Sequence, residues 1–147
     1  MVKKVKPSSK IVALIFVILM MGSGIGMIAG ILTKPDTIKI PENKIIKYKL
    51  TDSQVKELLK NYYTVVEYEY PSGCIECGNL VTSLEQWTMS SDNQIYLQEI
   101  QTDTSSSSKI TVISLRGQKT LYDPNQDDAR NDICELLITS SLFCVKI

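Results

Sequence analysis

Residues 63–87 read YTVVEYEYPSGCIECGNLVTSLEQW, and the fold turns on this stretch. Tyr63–Tyr70 is built from aromatic, β-branched and acidic residues, a composition that suits an extended, pleated chain. Pro71-Ser72-Gly73 ends it, because proline cannot donate to a ladder and glycine permits a turn. Beyond Cys74 and Cys77, the residues Leu80, Leu84 and Trp87 recur at helical spacing. The stretch therefore predicts a strand, a short loop, a CxxC pair and a helix.

On the N-terminal side, Ile46, Tyr48 and Leu50 alternate with Lys47 and Lys49, which predicts a strand from Ile45 with one wet face. Thr51 or Asp52 then caps a short helix whose apolar stripe is Val55, Leu58 and Leu59. On the C-terminal side, Gln94–Thr102 predicts a strand and Asp103–Ser108 a serine-rich loop. Lys109–Leu115 and Lys119–Tyr122 flank Arg116-Gly117-Gln118 as a hairpin. Asp123–Asp128 opens a last helix, Ala129–Ile138, with Ile133, Leu136 and Leu137 on its apolar face. The order β-α-β-(CxxC)-α-β-β-β-α over residues 45–147 is an α/β pattern able to bury one modest core.

A chain of 147 residues suits one such domain with an appended segment. It contains no histidine, which excludes a Ser-His-Asp triad, a Cys-His nucleophile pair and any histidine zinc site. The net charge of zero joins two unlike parts. Residues 1–34 carry five of the 16 basic side chains and no acid, leaving 11 basic against 16 acidic side chains in residues 35–147.

Between Lys10 and Lys34 lie 23 residues without a formal charge, IVALIFVILMMGSGIGMIAGILT. As a helix this run would be roughly 34 Å long, enough for a hydrocarbon core of about 30 Å. Residues 1–10 read as a basic cytoplasmic leader, 11–33 as a single transmembrane anchor, 34–44 as a proline-containing linker, and 45–147 as the exported domain. The rival for the anchor is a cleaved signal peptide with Gly22-Ser23-Gly24 as its small-residue site. Apolar character resuming from Ile25 to Leu32 speaks for the anchor. Gly22, Gly26 and Gly30 share one helix face, a stripe for helix association that would allow a homodimer in the membrane. The domain's acidity disfavours nucleic acid as a partner.

Four cysteines remain as the chemistry-bearing residues. Cys74-Ile75-Glu76-Cys77 sits between a strand and a helix, the context that makes a CxxC a redox candidate. Free N–H groups and positive potential at a helix start stabilise a thiolate, so Cys74 would attack and Cys77 resolve. A permanent structural disulfide is the competing reading, natural in an exported domain. The redox reading requires a partly exposed Cys74 sulfur at a helix start beside a groove, whereas burial of both sulfurs favours the staple. Cys134 and Cys144 would be about 15 Å apart in one continuous helix, so they can pair only if the chain reverses near Thr139-Ser140-Ser141. Stapling of the C-terminus, a second redox pair relaying electrons and unpaired thiols are all open for them. Their ten-residue spacing argues against a metal site.

From Ile45 to Ile138 the chain resembles the thioredoxin-like family, specifically small membrane-tethered proteins of prokaryotes. The likeness rests on element order and on CIEC at the end of YTVVEYEY, followed by the helix NLVTSLEQW. It implies a thioredoxin-like fold, trimmed where TDTSSSS (102–108) replaces a helix, with Ser108-Lys109 where the family has a cis-proline. It further implies that Cys74 and Cys77 are the catalytic pair of a thiol–disulfide oxidoreductase needing no cofactor. Partners would be cysteine-containing exported proteins and a membrane redox protein. The alternative is a non-catalytic, membrane-tethered interaction module whose cysteines form structural disulfides.

Overall fold

Strand β2 (Thr64–Pro71) is the centre on which the other elements are built. A computed structural model describes residues 38–103 and 107–145. The leader, the anchor at 11–33, the glycine stripe Gly22, Gly26 and Gly30, residues 34–37 of the linker and residues 104–106 of the serine-rich loop lie outside the described residues. Among the described residues no helix is long and apolar enough to cross a membrane.

The remaining elements are β1 (Ile45–Ile46), α1 (Asp52–Lys60), α2 (Cys77–Ser90), β3 (Ile95–Thr102), β4 (Lys109–Ser114), β5 (Gly117–Tyr122), α3 (Gln126–Leu136) and a 3-10 turn at Leu142–Cys144. The five strands form one sheet in the order β1-β3-β2-β4-β5. β3 pairs in parallel with both β1 and β2, while β4 is antiparallel to β2 and to β5. The described residues thus form a mixed α/β fold with three helices and a five-stranded sheet.

Period-two alternation sends β2 side chains to two different environments. Val66 and Tyr68 join Ile95, Leu97, Ile110 and Val112 in the main core, under Leu80, Leu84 and Trp87 of α2 and Ala129, Ile133 and Leu136 of α3. On the opposite face Val65 packs with Ile46, Leu50, Leu58 and Tyr96 beneath α1. Further along that face β2 presents Glu67 and Glu69, which ion-pair with Lys49 (2.9 and 3.2 Å); Glu69 also pairs with Lys109 (2.5 Å). A central strand can therefore hold two glutamates because α1 covers only part of this face.

Two expectations shift. The first strand was expected to reach Leu50 but ends at Ile46, and Tyr48 is exposed. Its ladder stops because the neighbouring Gln98 turns its side-chain oxygen to the Leu50 N–H (2.6 Å), ending the strand and fixing the start of α1. The hairpin turn is Leu115-Arg116, with Gly117 opening β5 opposite Ser114; the Ser114 hydroxyl oxygen accepts the Arg116 N–H and holds that turn. The α1 cap is as expected: the Thr51 side chain accepts the Gln54 N–H, and the Gln54 side chain returns to the Thr51 N–H.

Candidate active site

The C-terminal end of β2 feeds a tight turn in which the Cys74 N–H donates to the Pro71 carbonyl (3.2 Å). Gly73 sits at φ +88°, a left-handed conformation that a side chain disfavours, and it aims the chain back toward α2. Cys74 and Cys77 are joined by a disulfide, with Cα atoms 5.3 Å apart. Cys77 is the first residue of α2 and is buried, 7 % exposed, against Leu80 and the main core. Cys74 is half-buried, and between the two Ile75 is 92 % exposed and Glu76 is exposed.

Glu76 provides no side-chain cap for α2. The cap is the Cys74 sulfur, which accepts the Cys77 N–H at 3.2 Å. Helix-start N–H groups carry positive potential, so this contact favours negative charge on Cys74 whenever the disulfide opens. Cys74 thus lies half-buried at a helix start, and Cys77 is the more sheltered of the two.

A groove of about 290 Å³ adjoins the pair, lined by Tyr68, Pro71, Cys74, Glu76, Cys77, Leu80, Ser108, Asp123 and Pro124. Its far wall is closed by a reciprocal clasp between the ends of β4 and β5. The Ser108 N–H donates to Asp123 Oδ1 (2.8 Å), the Ser108 hydroxyl lies 3.3 Å from the same oxygen, and the Asp123 N–H donates to the Ser108 carbonyl (2.9 Å). Asp123 takes φ +44°, a conformation that aspartate tolerates better than most side chains. Burial pushes the Tyr68 hydroxyl above its ordinary range, opposed by its hydrogen bond with Ser108, so it stays protonated.

Sequence reasoning placed Cys74 and Cys77 but missed Tyr68, Asp123 and Pro124 as groove residues. The Asp123-Pro124 dipeptide is a loop signal, yet nothing local says that this loop faces the cysteines. Cys134 and Cys144 form the second disulfide, Cα atoms 5.6 Å apart, on the far part of α3 and the 3-10 turn. The chain reverses after Leu137, as their pairing demands. Neither of them lines the groove. No group of three or more metal-ligating side chains occurs among the described residues. No protein-family model matches the chain, and no curated protein matches it.

Proposed function

We propose that the chain is a membrane-anchored thiol–disulfide oxidoreductase of thioredoxin-like topology, acting outside the cytoplasm on cysteine-containing exported proteins. The observation that carries the reading is Cys74, half-buried beside a groove with its sulfur accepting the first N–H of α2, next to a sheltered Cys77. The sheet order β1-β3-β2-β4-β5, with the CxxC at the end of the central strand, supports the thioredoxin-like topology. Ser108-Lys109 and the short β3–β4 connection are its departures. The 23-residue uncharged run behind a lysine-rich leader supports the anchor and its orientation.

In the reduced protein a Cys74 thiolate attacks one sulfur of a substrate disulfide. A Cys74–substrate bond forms and the other substrate sulfur leaves as a thiolate. Cys77, deprotonated, then attacks the Cys74 sulfur and releases the second substrate thiolate. The substrate gains two electrons and the pair ends as the disulfide seen here. Run in reverse, the same steps oxidise a substrate dithiol. A membrane-bound dithiol or disulfide protein would reset the pair.

The test is Cys77→Ala in the full chain in its native membrane, followed by non-reducing electrophoresis. Trapped mixed disulfides that vanish in the Cys74→Ala/Cys77→Ala double variant support the reading. If no adduct appears, and mild reductant leaves the wild-type Cys74–Cys77 bond intact, the pair is a structural staple in a non-catalytic module.

A further inference from the structure

Resting on the oxidoreductase reading, we infer that the groove at Cys74 selects thiol and disulfide partners whose cysteine is flanked by lysine or arginine. Because half-buried Cys74 lines the groove, a cysteine exchanging with it must dock there, and the walls decide which flanking side chains are welcome. Among the described residues, Glu76 and Asp123 are the only charged side chains lining it. The Glu76 side chain has no hydrogen bond or ion pair among the described residues, and the Asp123 carboxylate is held by Ser108, so neither is paired with a cation there.

The nearby cations are committed elsewhere. Lys109 is drawn to Glu69 on the opposite sheet face. Lys119 bridges Asp132 and Glu135 (2.9 and 2.6 Å). Arg130 gives its guanidinium to the Phe143 carbonyl. Topology adds to the imbalance. β3 and β5 both run in the direction of β2, so Asp103 and Asp123, which follow them, emerge at the same sheet end as Cys74.

Pro71, Leu80 and Pro124 add apolar wall to the same groove. A lysine or arginine stem can lie on such a wall while its charged head reaches the rim. An acidic neighbour has the same reach and meets two like charges. Rim charges of this kind act mainly on encounter and orientation and are screened by salt.

The experiment uses the full chain in detergent micelles and two symmetric peptide disulfides, (Lys-Cys-Lys)2 and (Glu-Cys-Glu)2. Rates of their reduction by the reduced protein are divided by their rates with free dithiothreitol, which removes the peptides' own reactivity. The expected preference for the lysine peptide is about tenfold at low ionic strength, falling toward unity in 1 M salt and in Glu76→Gln/Asp123→Asn. Asparagine tolerates the left-handed backbone at 123 and keeps an oxygen for Ser108, so the double variant tests charge and not folding. Equal normalised rates for both peptides overturn the inference while leaving the oxidoreductase reading intact. Failure to exchange with either peptide or with dithiothreitol overturns both.

Discussion

Phe143 lies flat against Trp87, ring centroids 5.9 Å apart and planes 8° from parallel, so the C-terminal turn is packed on the helix that begins with Cys77. The Cys134–Cys144 disulfide and the Arg130 bond to the Phe143 carbonyl hold that turn in place. Replacing both cysteines, Cys134→Ala/Cys144→Ala, frees a ten-residue loop and is expected to cost about 3 kcal/mol of stability from chain entropy. Trp87 emission should shift to the red as its stacking partner leaves. Denaturant titration followed by fluorescence measures both, and an unchanged midpoint would deny the staple its role.

Glu99 gives a pH dependence of defined sign. It sits on β3 beside Tyr68 with a fully buried side chain, bonded to Lys47 and close to Glu85 of α2; its Oε1 has no hydrogen-bond partner among the described residues. Burial, opposed by Lys47 and aided by Glu85, raises its pKa above the usual carboxylate range. A raised folded-state value means that the protonated form is favoured on folding. The stabilisation is complete below the unfolded pKa of about 4.3 and is lost as pH rises through the folded value. Glu99→Gln should remove this decline. Thermal melts of both proteins between pH 4 and 8 check it, and parallel profiles would contradict it.

Glu69 works in the opposite sense. Lys109 first and Lys49 second hold its carboxylate below the usual range. Its contribution is therefore present above the unfolded pKa and fades as pH falls through the lowered one. Because Lys49 is mostly exposed, Glu69→Gln is expected to cost only about 0.5 kcal/mol at neutral pH. The difference from wild type should vanish in acid, and one that persists there would assign the cost to packing.

At Gly73 the prediction concerns backbone alone. A Cβ built there meets nothing within 4 Å, yet φ is +88°. Gly73→Ala should then cost about 1 kcal/mol through conformation and not through a clash. Gly78 also has nothing within 4 Å of an added Cβ, but no left-handed φ, so Gly78→Ala is the matched control and should not be destabilising. Equal losses for the two variants would refute the conformational account.

What could be read in advance was what depends on local chemistry. β2 and α2 begin within a residue or two of expectation because Pro71-Ser72-Gly73 and the Leu80, Leu84, Trp87 spacing are local signals. The strand from Ile45 was overextended because alternation reports which side chains want burial, and not whether a neighbour continues the ladder. Gln98, 48 residues from Leu50 in the chain, decides that. The Ser108–Asp123 clasp and the Tyr68 hydroxyl reach the groove through sheet register, a long-range property that no motif carries. The same applies to Glu99, which alternation in QIYLQEIQT places on a face without saying what covers it.

The two-residue length of β1 has a mechanical consequence. Tension entering at residue 38 meets a short series of attachments: the Gln54 side chain on the Lys39 carbonyl (2.8 Å), the Tyr96 hydroxyl on the Pro41 carbonyl (3.3 Å), the Lys44 ammonium between the rings of Tyr63 and Tyr96, and the Leu97 N–H on the Lys44 carbonyl (2.8 Å). Behind them the β3-β2-β4-β5 sheet is held by ladders of five to eight residue pairs. A pull on the N-terminus is expected to peel residues 38–46 before it loads the strand that ends at Pro71, just ahead of Cys74.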